Sequence, residues 1–310
     1  MSQAYQQLPL DDDSKKLLVV NTPRGLFQYT RLPYGVSTAP AIFQSVMDRI
    51  LHGLPVACYL DDILIVAKTE EEHDELLEKT LERLEKAGVR LSQEKCEFRL
   101  SELRYLGHRI DATGIHPTSE KVQAIKKAPV PQTVSQLRVF LGLVNYYSKF
   151  IPQTATLLTL LYKLLEKNCH WEWTEECNQV FETCKSLLTS EAVLVHYDST
   201  KQLKLSCDAS QYGLGAVLSH VLDGVERPIA FASRTLNKAE ANYGQIEKEA
   251  LALIYGVKKF HKYLYGRPFT MVTDHKPLLS ILNGKSAVPS TNAKVGHVLV
   301  SISVRHRVQE

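Results

Sequence analysis

The sequence predicts a multidomain protein of mixed α+β and α/β class, and three observations carry that expectation. Up to about residue 112, short apolar runs bounded by turn residues alternate with amphipathic helical stretches. From His116-Pro117 the pattern becomes helical, broken by Pro129, Pro131 and Pro152. Beyond residue 191 strand-like alternation returns around one long helical stretch. Each pattern reflects its own period, about two residues for a half-buried strand and about 3.6 for a helix. A chain of 310 residues has room for two or three such domains, expected over 1–112, 113–190 and 191–310.

In chain order, Ser2 to Leu8 is already patterned, so the chain is expected to start inside a domain. Lys16 to Val20 reads as a strand, Thr22-Pro23-Arg24-Gly25 as a turn and Leu26 to Thr30 as a second strand. Pro40 opens a helix over Ala41 to Leu51 with Ile42, Val46, Ile50 and Leu51 as its apolar face, and Gly53 lies just past its end. The runs Val56–Leu60 and Ile63–Ala67 read as buried strands joined by Asp61-Asp62 at a hairpin tip. Leu77, Leu81 and Leu84 then mark a helix stopped by Gly88. Leu103 to Ile110 reads as a strand pair. Helices follow over Thr133–Lys149, Ala155–Lys167 and Thr174–Leu188. Trp171 and Trp173 read as packing anchors rather than stacking platforms for bases.

In the last region Leu203, Leu205 and Cys207 alternate along a strand that reaches Asp208. A strand over Gly215–Ser219, a turn at Asp223-Gly224 and a strand over Pro228–Ala232 come next. A helix is expected over Ala239–Leu264, and Phe269–Thr273 is a strand ending at Asp274.

Composition bounds the function classes. Net charge is +3, from 37 basic and 34 acidic residues, but from Lys121 to Lys167 seven basic residues face one acid, Glu166. The six cysteines form no C-x-x-C pair, which favours reduced thiols over a disulfide framework or a zinc site. No apolar run approaches a membrane span. The expectation is an intracellular protein, cytoplasmic or nuclear.

Two sets of carboxylates carry the chemistry. Adjacent anions at Asp61 and Asp62 repel each other, so either a cation compensates them or the turn is simply solvated. Asp208 and Asp274 end apolar strands, and an acid on the intervening helix would complete a group suited to two divalent ions. Ile246, Ala250, Leu253 and Val257 form the core stripe of that helix; Glu247 and Glu249 flank it at similar angles, and periodicity does not choose between them.

The motifs resemble the Pol proteins of gypsy-like long-terminal-repeat retroelements. Tyr59-Leu60-Asp61-Asp62, preceded by Leu32-Pro33-Tyr34-Gly35-Val36-Ser37-Thr38-Ala39-Pro40-Ala41-Ile42-Phe43-Gln44, is similar to their reverse transcriptase. Leu91 to Cys96, Tyr105-Leu106-Gly107-His108 and Phe140 to Tyr147 follow in the family's order. Asp208-Ala209-Ser210, Gly213, Gly215-Ala216, Glu247 to Ala252 and Thr273-Asp274-His275 resemble its ribonuclease H.

The resemblance implies a palm, a helical thumb and connection, and a ribonuclease H-like mixed sheet with helices. It implies that Asp61 and Asp62 bind metal, with Asp61 the direct ligand, and that Tyr5 excludes a ribose hydroxyl. By the same resemblance Tyr34 and Gly35 contact the nucleotide, Lys95 lies near its phosphates, and Leu106 and Gly107 grip the primer strand. It selects Glu249 over Glu247, and makes Asp208, Glu249 and Asp274 the acids that bind Mg²⁺, or Mn²⁺, to cleave RNA in an RNA–DNA hybrid. The implied partners are hybrid, template–primer nucleic acid and deoxynucleotides; the lysines of 121–167 would track phosphates without reading sequence.

The family's third polymerase aspartate and its fingers would precede Met1, and its fourth ribonuclease acid is not matched between Ser290 and Glu310, where His297 and His306 are candidates by residue type alone. The expectation is therefore a domain pair truncated at both ends, with DNA synthesis lost and hybrid cleavage the better-retained activity. The rivals are a non-catalytic nucleic-acid-binding remnant and a relic without function.

Overall fold

The computed structural model describes residues 3–167, 169–189, 193–275, 277–278 and 300–304. It has two compact units, Met1–Leu100 and Ser101–Glu310.

The first unit contains α1 (Asp12–Leu17), β1 (Val19–Thr22), β2 (Gly25–Gln28), α2 (Ala39–Ile50), β3 (Ala57–Tyr59), β4 (Asp62–Leu64) and α3 (Glu70–Lys86). The strand expected over Lys16–Val20 is in part a helix. Asp11 accepts hydrogen bonds from the Asp13 and Ser14 amides at 3.1 and 2.8 Å, capping α1, so the strand begins only at Val19. The buried face of α2 is also rotated from the expected one. Ala39, Phe43, Met47 and Leu51 form the buried row, of which Phe43, Met47 and Leu51 enter a small core with Ala4 and Leu84, whereas Ile42 is 45% exposed. That row repeats every four residues, as the inclined ridges of a helix do. β3 and β4 are shorter than the apolar runs suggested and are not buried.

The second unit starts with a three-stranded antiparallel sheet of β5 (Glu102–Tyr105), β6 (His108–Asp111) and β7 (Gly114–Pro117). Helices α4 (Ser119–Lys126), α5 (Val134–Tyr146), α6 (Thr154–Leu157), α7 (Thr159–Lys163) and α8 (Glu175–Thr189) follow. The single helix expected over Ala155–Lys167 is thus divided, α6 ending at Leu157. Leu137, Leu141, Val144, Tyr147, Leu158, Leu161, Phe181 and Leu188 make the apolar core of this helical part. Trp173 packs edge-on to Phe181 at 5.9 Å and stacks with Trp171 at 6.1 Å, so the tryptophans are packing anchors, as expected.

A five-stranded mixed sheet follows, in the order β10-β9-β8-β11-β12, built from β8 (Leu203–Ala209), β9 (Gly213–Leu222), β10 (Val225–Thr235), β11 (Phe269–Thr273) and β12 (Val300–Val304). β8, β9 and β10 form an antiparallel meander, and Asp223 and Gly224, both at positive φ, make its second turn. β11 runs parallel to both β8 and β12.

Helices α9 (Gln245–Lys259) and α10 (His261–Leu264) lie between β10 and β11 in the chain. α9 starts six residues later than the expected Ala239 because the Gly244 amide donates to Glu247 Oε2 at 2.8 Å, fixing its N-terminus there. The buried face of α9 carries Lys248, Glu249, Ala252, Leu253 and Gly256, whereas Ile246 of the expected stripe is 37% exposed. Gly256 explains the rotation. A Cβ there would lie 2.5 Å from Cys207 Sγ and 3.3 Å from both Ala216 Cβ and Leu205 Cδ1, so the helix backbone rests directly on β8 and β9.

Candidate metal centre

β8 and β11 are parallel neighbours, with Val272 paired to Ser206, so their carboxyl ends emerge at the same edge of the sheet. Asp208 is the penultimate residue of β8, and Asp274 follows the last residue of β11. Glu249 comes from α9, on the face that packs against the sheet. One carboxylate oxygen from each of the three lies within 4.8 Å of the others, the one such group of three acids, histidines or cysteines among the described residues. The acids expected to converge do converge.

Their environments differ. Asp274 is exposed and Asp208 half-buried, whereas Glu249 is only 3% exposed. Gln245 Nε2 donates to Glu249 Oε1 at 2.7 Å and to the Ala209 carbonyl at 3.2 Å. Glu249 Oε2 is buried with no hydrogen-bond partner. Burial is the main reason the Glu249 carboxyl is raised to about 7; the charges of Asp274 and Asp208 push it further, and the Gln245 bond partly opposes them. Cys207, beside this group, is raised to about 12 by burial, then by Glu249 and Asp208. A buried anion with an open oxygen between two other carboxylates fits a divalent cation, which would supply the missing partner and neutralise the repulsion. Gln153 Nε2 also donates to Asp208 Oδ2, at 2.5 Å.

Glu247 has a different task. Its carboxylate accepts the Gly244 amide and caps α9 from the exposed side. The two glutamates that periodicity left equivalent are therefore separated by the helix start.

Asp61 and Asp62 are both exposed. Tyr59 pairs with Asp62, so Leu60 and Asp61 form the two-residue turn and Asp62 already belongs to β4. Both acids are near the tip, as expected, but the turn is one residue earlier. Leu60 takes the left-handed conformation, φ 51°. Gln44 of α2 holds it, accepting the Leu60 amide at 2.7 Å and donating to the Cys58 carbonyl at 3.0 Å. The Cys58 thiol is raised to about 11, first by burial and then by the charges of Asp48, Asp62 and Asp61.

Tyr5 packs against Tyr34 and Phe43, with ring centroids at 5.2 and 5.6 Å, so two of the expected nucleotide-contacting residues adjoin each other. Tyr34 is 58% exposed and Gly35 follows it at φ 93°. Lys95 is exposed at the end of a 3-10 turn, Gln93–Lys95. Leu106 and Gly107, both at positive φ, form the β5–β6 turn. The Tyr146 hydroxyl donates to the Leu106 carbonyl and the Tyr147 hydroxyl to the Gly107 carbonyl, the latter at 2.8 Å, so α5 and its end clamp this turn. His297 and His306 lie outside the described residues.

The bracing roles of Gln44, Gln153, Gln245, Tyr146 and Tyr147 are not assigned by sequence reasoning, although Gln44, Tyr146 and Tyr147 lie within the motifs that carry the resemblance. Each acts across the fold through an amide or hydroxyl, and no periodicity or spacing marks such a contact.

Comparison with known proteins agrees with this architecture. Residues 1–110 match the family described as reverse transcriptase (RNA-dependent DNA polymerase). Residues 173–271 match the RNase H-like domain found in reverse transcriptase, a span that holds Asp208 and Glu249 and stops just before Asp274. The Tf2-3 and Tf2-7 transposon polyproteins of Schizosaccharomyces pombe are each 37% identical over 292 residues, 92% of this chain. The chain spans 22% of the length of either relative. Two foamy viral protease–reverse transcriptase structures share its fold over the whole chain at 24% identity. The dRH form in complex with double-stranded DNA has a TM-score of 0.83 over 56% of that chain; the form in complex with RNA/DNA hybrid has 0.79 over 44%. The chain belongs to the Pol proteins of gypsy-type long-terminal-repeat retrotransposons, with a mixed α/β reverse-transcriptase domain followed by a ribonuclease H-like mixed sheet.

Proposed function

We propose that this chain cleaves the RNA strand of an RNA–DNA hybrid at Asp208, Glu249 and Asp274, with Mg²⁺ as the cofactor and Mn²⁺ as a substitute. The observation that carries the reading is the convergence of the three carboxylates around an unpartnered oxygen of Glu249. Bound divalent ions would stabilise both the attacking and the departing oxygen of an in-line displacement at phosphorus. The chain's own residues hold the geometry. Two acids come from the ends of paired strands, and Glu249 is set by the close seating of α9. Its burial leaves it only partly ionised near neutrality in the absence of a cation, so proton release and cation binding are coupled.

The second proposed site is the Asp61–Asp62 turn, as the metal-binding part of a polymerase palm that takes deoxynucleotides and template–primer. Tyr5, Tyr34, Gly35 and Lys95 would be its nucleotide contacts; in the second unit, Leu106 and Gly107 would by themselves contact the primer strand. Hybrid cleavage is the activity the geometry supports best, because one cluster gathers three carboxylates and the turn presents two. The lysines between Lys121 and Lys167 suit binding to the phosphates of the hybrid.

The test is cleavage of an end-labelled hybrid in Mg²⁺ by the whole chain. Asp208→Asn and Asp274→Asn should each reduce the rate at least about 100-fold, the scale on which misplacing a reacting group acts. Hybrid binding that weakens with salt, persists in both variants and accompanies no cleavage by the wild type would instead identify a non-catalytic nucleic-acid-binding protein.

A further inference from the structure

The acidic cluster draws one of its hydrogen-bond donors from outside the sheet and the helix that carry it. Gln153 lies in the short segment between α5 and α6, beyond the 173–271 span that matches the ribonuclease H-like family. Its backbone is left-handed, φ 48° and ψ 34°, a conformation costly for a residue with a Cβ. That cost is sustained by what surrounds it. The Ala155 amide donates to Ser233 Oγ at 3.0 Å, and Thr156 Oγ1 and Ser210 Oγ are 2.8 Å apart. Gly215, paired with Asp208 across the β8–β9 ladder, leaves room for the side chain: a Cβ there would come within 3.2 Å of Gln153 Cγ. The segment is therefore seated on the face of β9 and β10 opposite α9, and its seat is a glycine of the motif that sequence reading singled out.

The chemistry fixes which way the amide faces. An ionised carboxylate only accepts hydrogen bonds, so Asp208 Oδ2 must meet the NH₂ group of Gln153 and not its carbonyl. Gln245 treats Glu249 in the same way, binding one oxygen and leaving the other open. An amide on one oxygen orients a carboxylate without adding a charge that would compete with a cation for the other oxygen.

We propose that Gln153 is a positioning residue for the acidic cluster, holding the Asp208 carboxylate in the orientation that receives a divalent cation. The proposal rests on reading Asp208, Glu249 and Asp274 as a cation site. It makes the site dependent on a segment that precedes the domain carrying the acids.

Two variants of the whole chain separate positioning from folding. Gln153→Gly removes the amide and suits the left-handed backbone; Gln153→Met removes the donor and keeps an unbranched side chain over Gly215. Calorimetric titration with Mn²⁺ reads affinity directly, with Asp208→Asn as the non-binding reference. Both variants should melt within about 4 °C of the wild type and bind Mn²⁺ about 10-fold more weakly, the lower end of what outer hydrogen-bond partners of metal ligands contribute. The Mg²⁺ concentration giving half-maximal hybrid cleavage should rise by a similar factor while the rate at saturating Mg²⁺ changes less. Wild-type affinity in either folded variant overturns the proposal, and tighter binding would make Gln153 a competitor for the site. A wild-type chain that binds Mn²⁺ no better than Asp208→Asn defeats the cation-site reading itself, and the proposal with it.

Discussion

At the scale of single residues, the centre is defined by the protonation of Glu249. Its folded-state value of about 7 lies above the ordinary carboxylate range, so between about pH 4.5 and pH 7 the folded chain binds more protons than the unfolded one. Metal-free stability must then fall as pH rises through that window, and the loss is complete above it. The shift bounds this loss at about 3 kcal/mol. Glu249→Gln should remove the slope, leaving a variant more stable than the wild type at pH 8 without metal and no different near pH 4. Denaturant titrations of both proteins in EDTA across this range would check it. Parallel curves would mean that the glutamate is not desolvated as described. The importance of Glu249 was readable only by resemblance, because its angle on the helix equals that of Glu247. What distinguishes them is the hydrogen bond from the Gly244 amide, which assigns Glu247 to the helix end.

Among the elements, the seating of α9 on β8 and β9 matters most. The Gly256–Cys207 approach sets how deeply the helix lies, and Glu249 is two turns nearer its N-terminus on the same buried side. Gly256→Ala should destabilise the second unit by about 1–3 kcal/mol through overpacking and weaken Mn²⁺ binding as well. Cys207→Ala in the same chain should restore a large part of both, since it removes the atom that the new methyl group meets. A double-mutant cycle by urea titration would show additive losses if the contact were unimportant.

The strands of this sheet were legible in the sequence because alternation along Leu203, Leu205 and Cys207 matches the buried face of β8. The faces of α2 and α9 were read less well. Several apolar stripes fit each helix, and only the neighbouring core decides which is buried: Phe43 and Met47 in one, Ala252 and Gly256 in the other. Apolar periodicity also does not report the breaks after Leu157 and at Phe260.

For the molecule as a whole, separate apolar cores in the two compact units imply that unfolding is not a single two-state event. Phe43→Ala should lower one thermal transition and Phe181→Ala another, each by the equivalent of about 3–5 kcal/mol in its own unit. Scanning calorimetry showing one transition that both substitutions shift equally would contradict this. The order of secondary-structure classes along the chain was visible in composition and periodicity, and the gathering of distant acids was foreseen from strand ends. The braces that hold those acids were not, since they join elements far apart in sequence.

The parallel pairing of β8 with β11 has a consequence for synthesis. β9, β10 and α9 must all be made after Asp208 before Asp274 exists, and such long-range pairing forms slowly. The nascent polypeptide therefore carries an incomplete acidic cluster for much of its translation. The capacity to bind Mn²⁺ should appear late in refolding, together with the slow phase that docks β11. The cation site is thereby completed only after most of the sheet that carries it has been made.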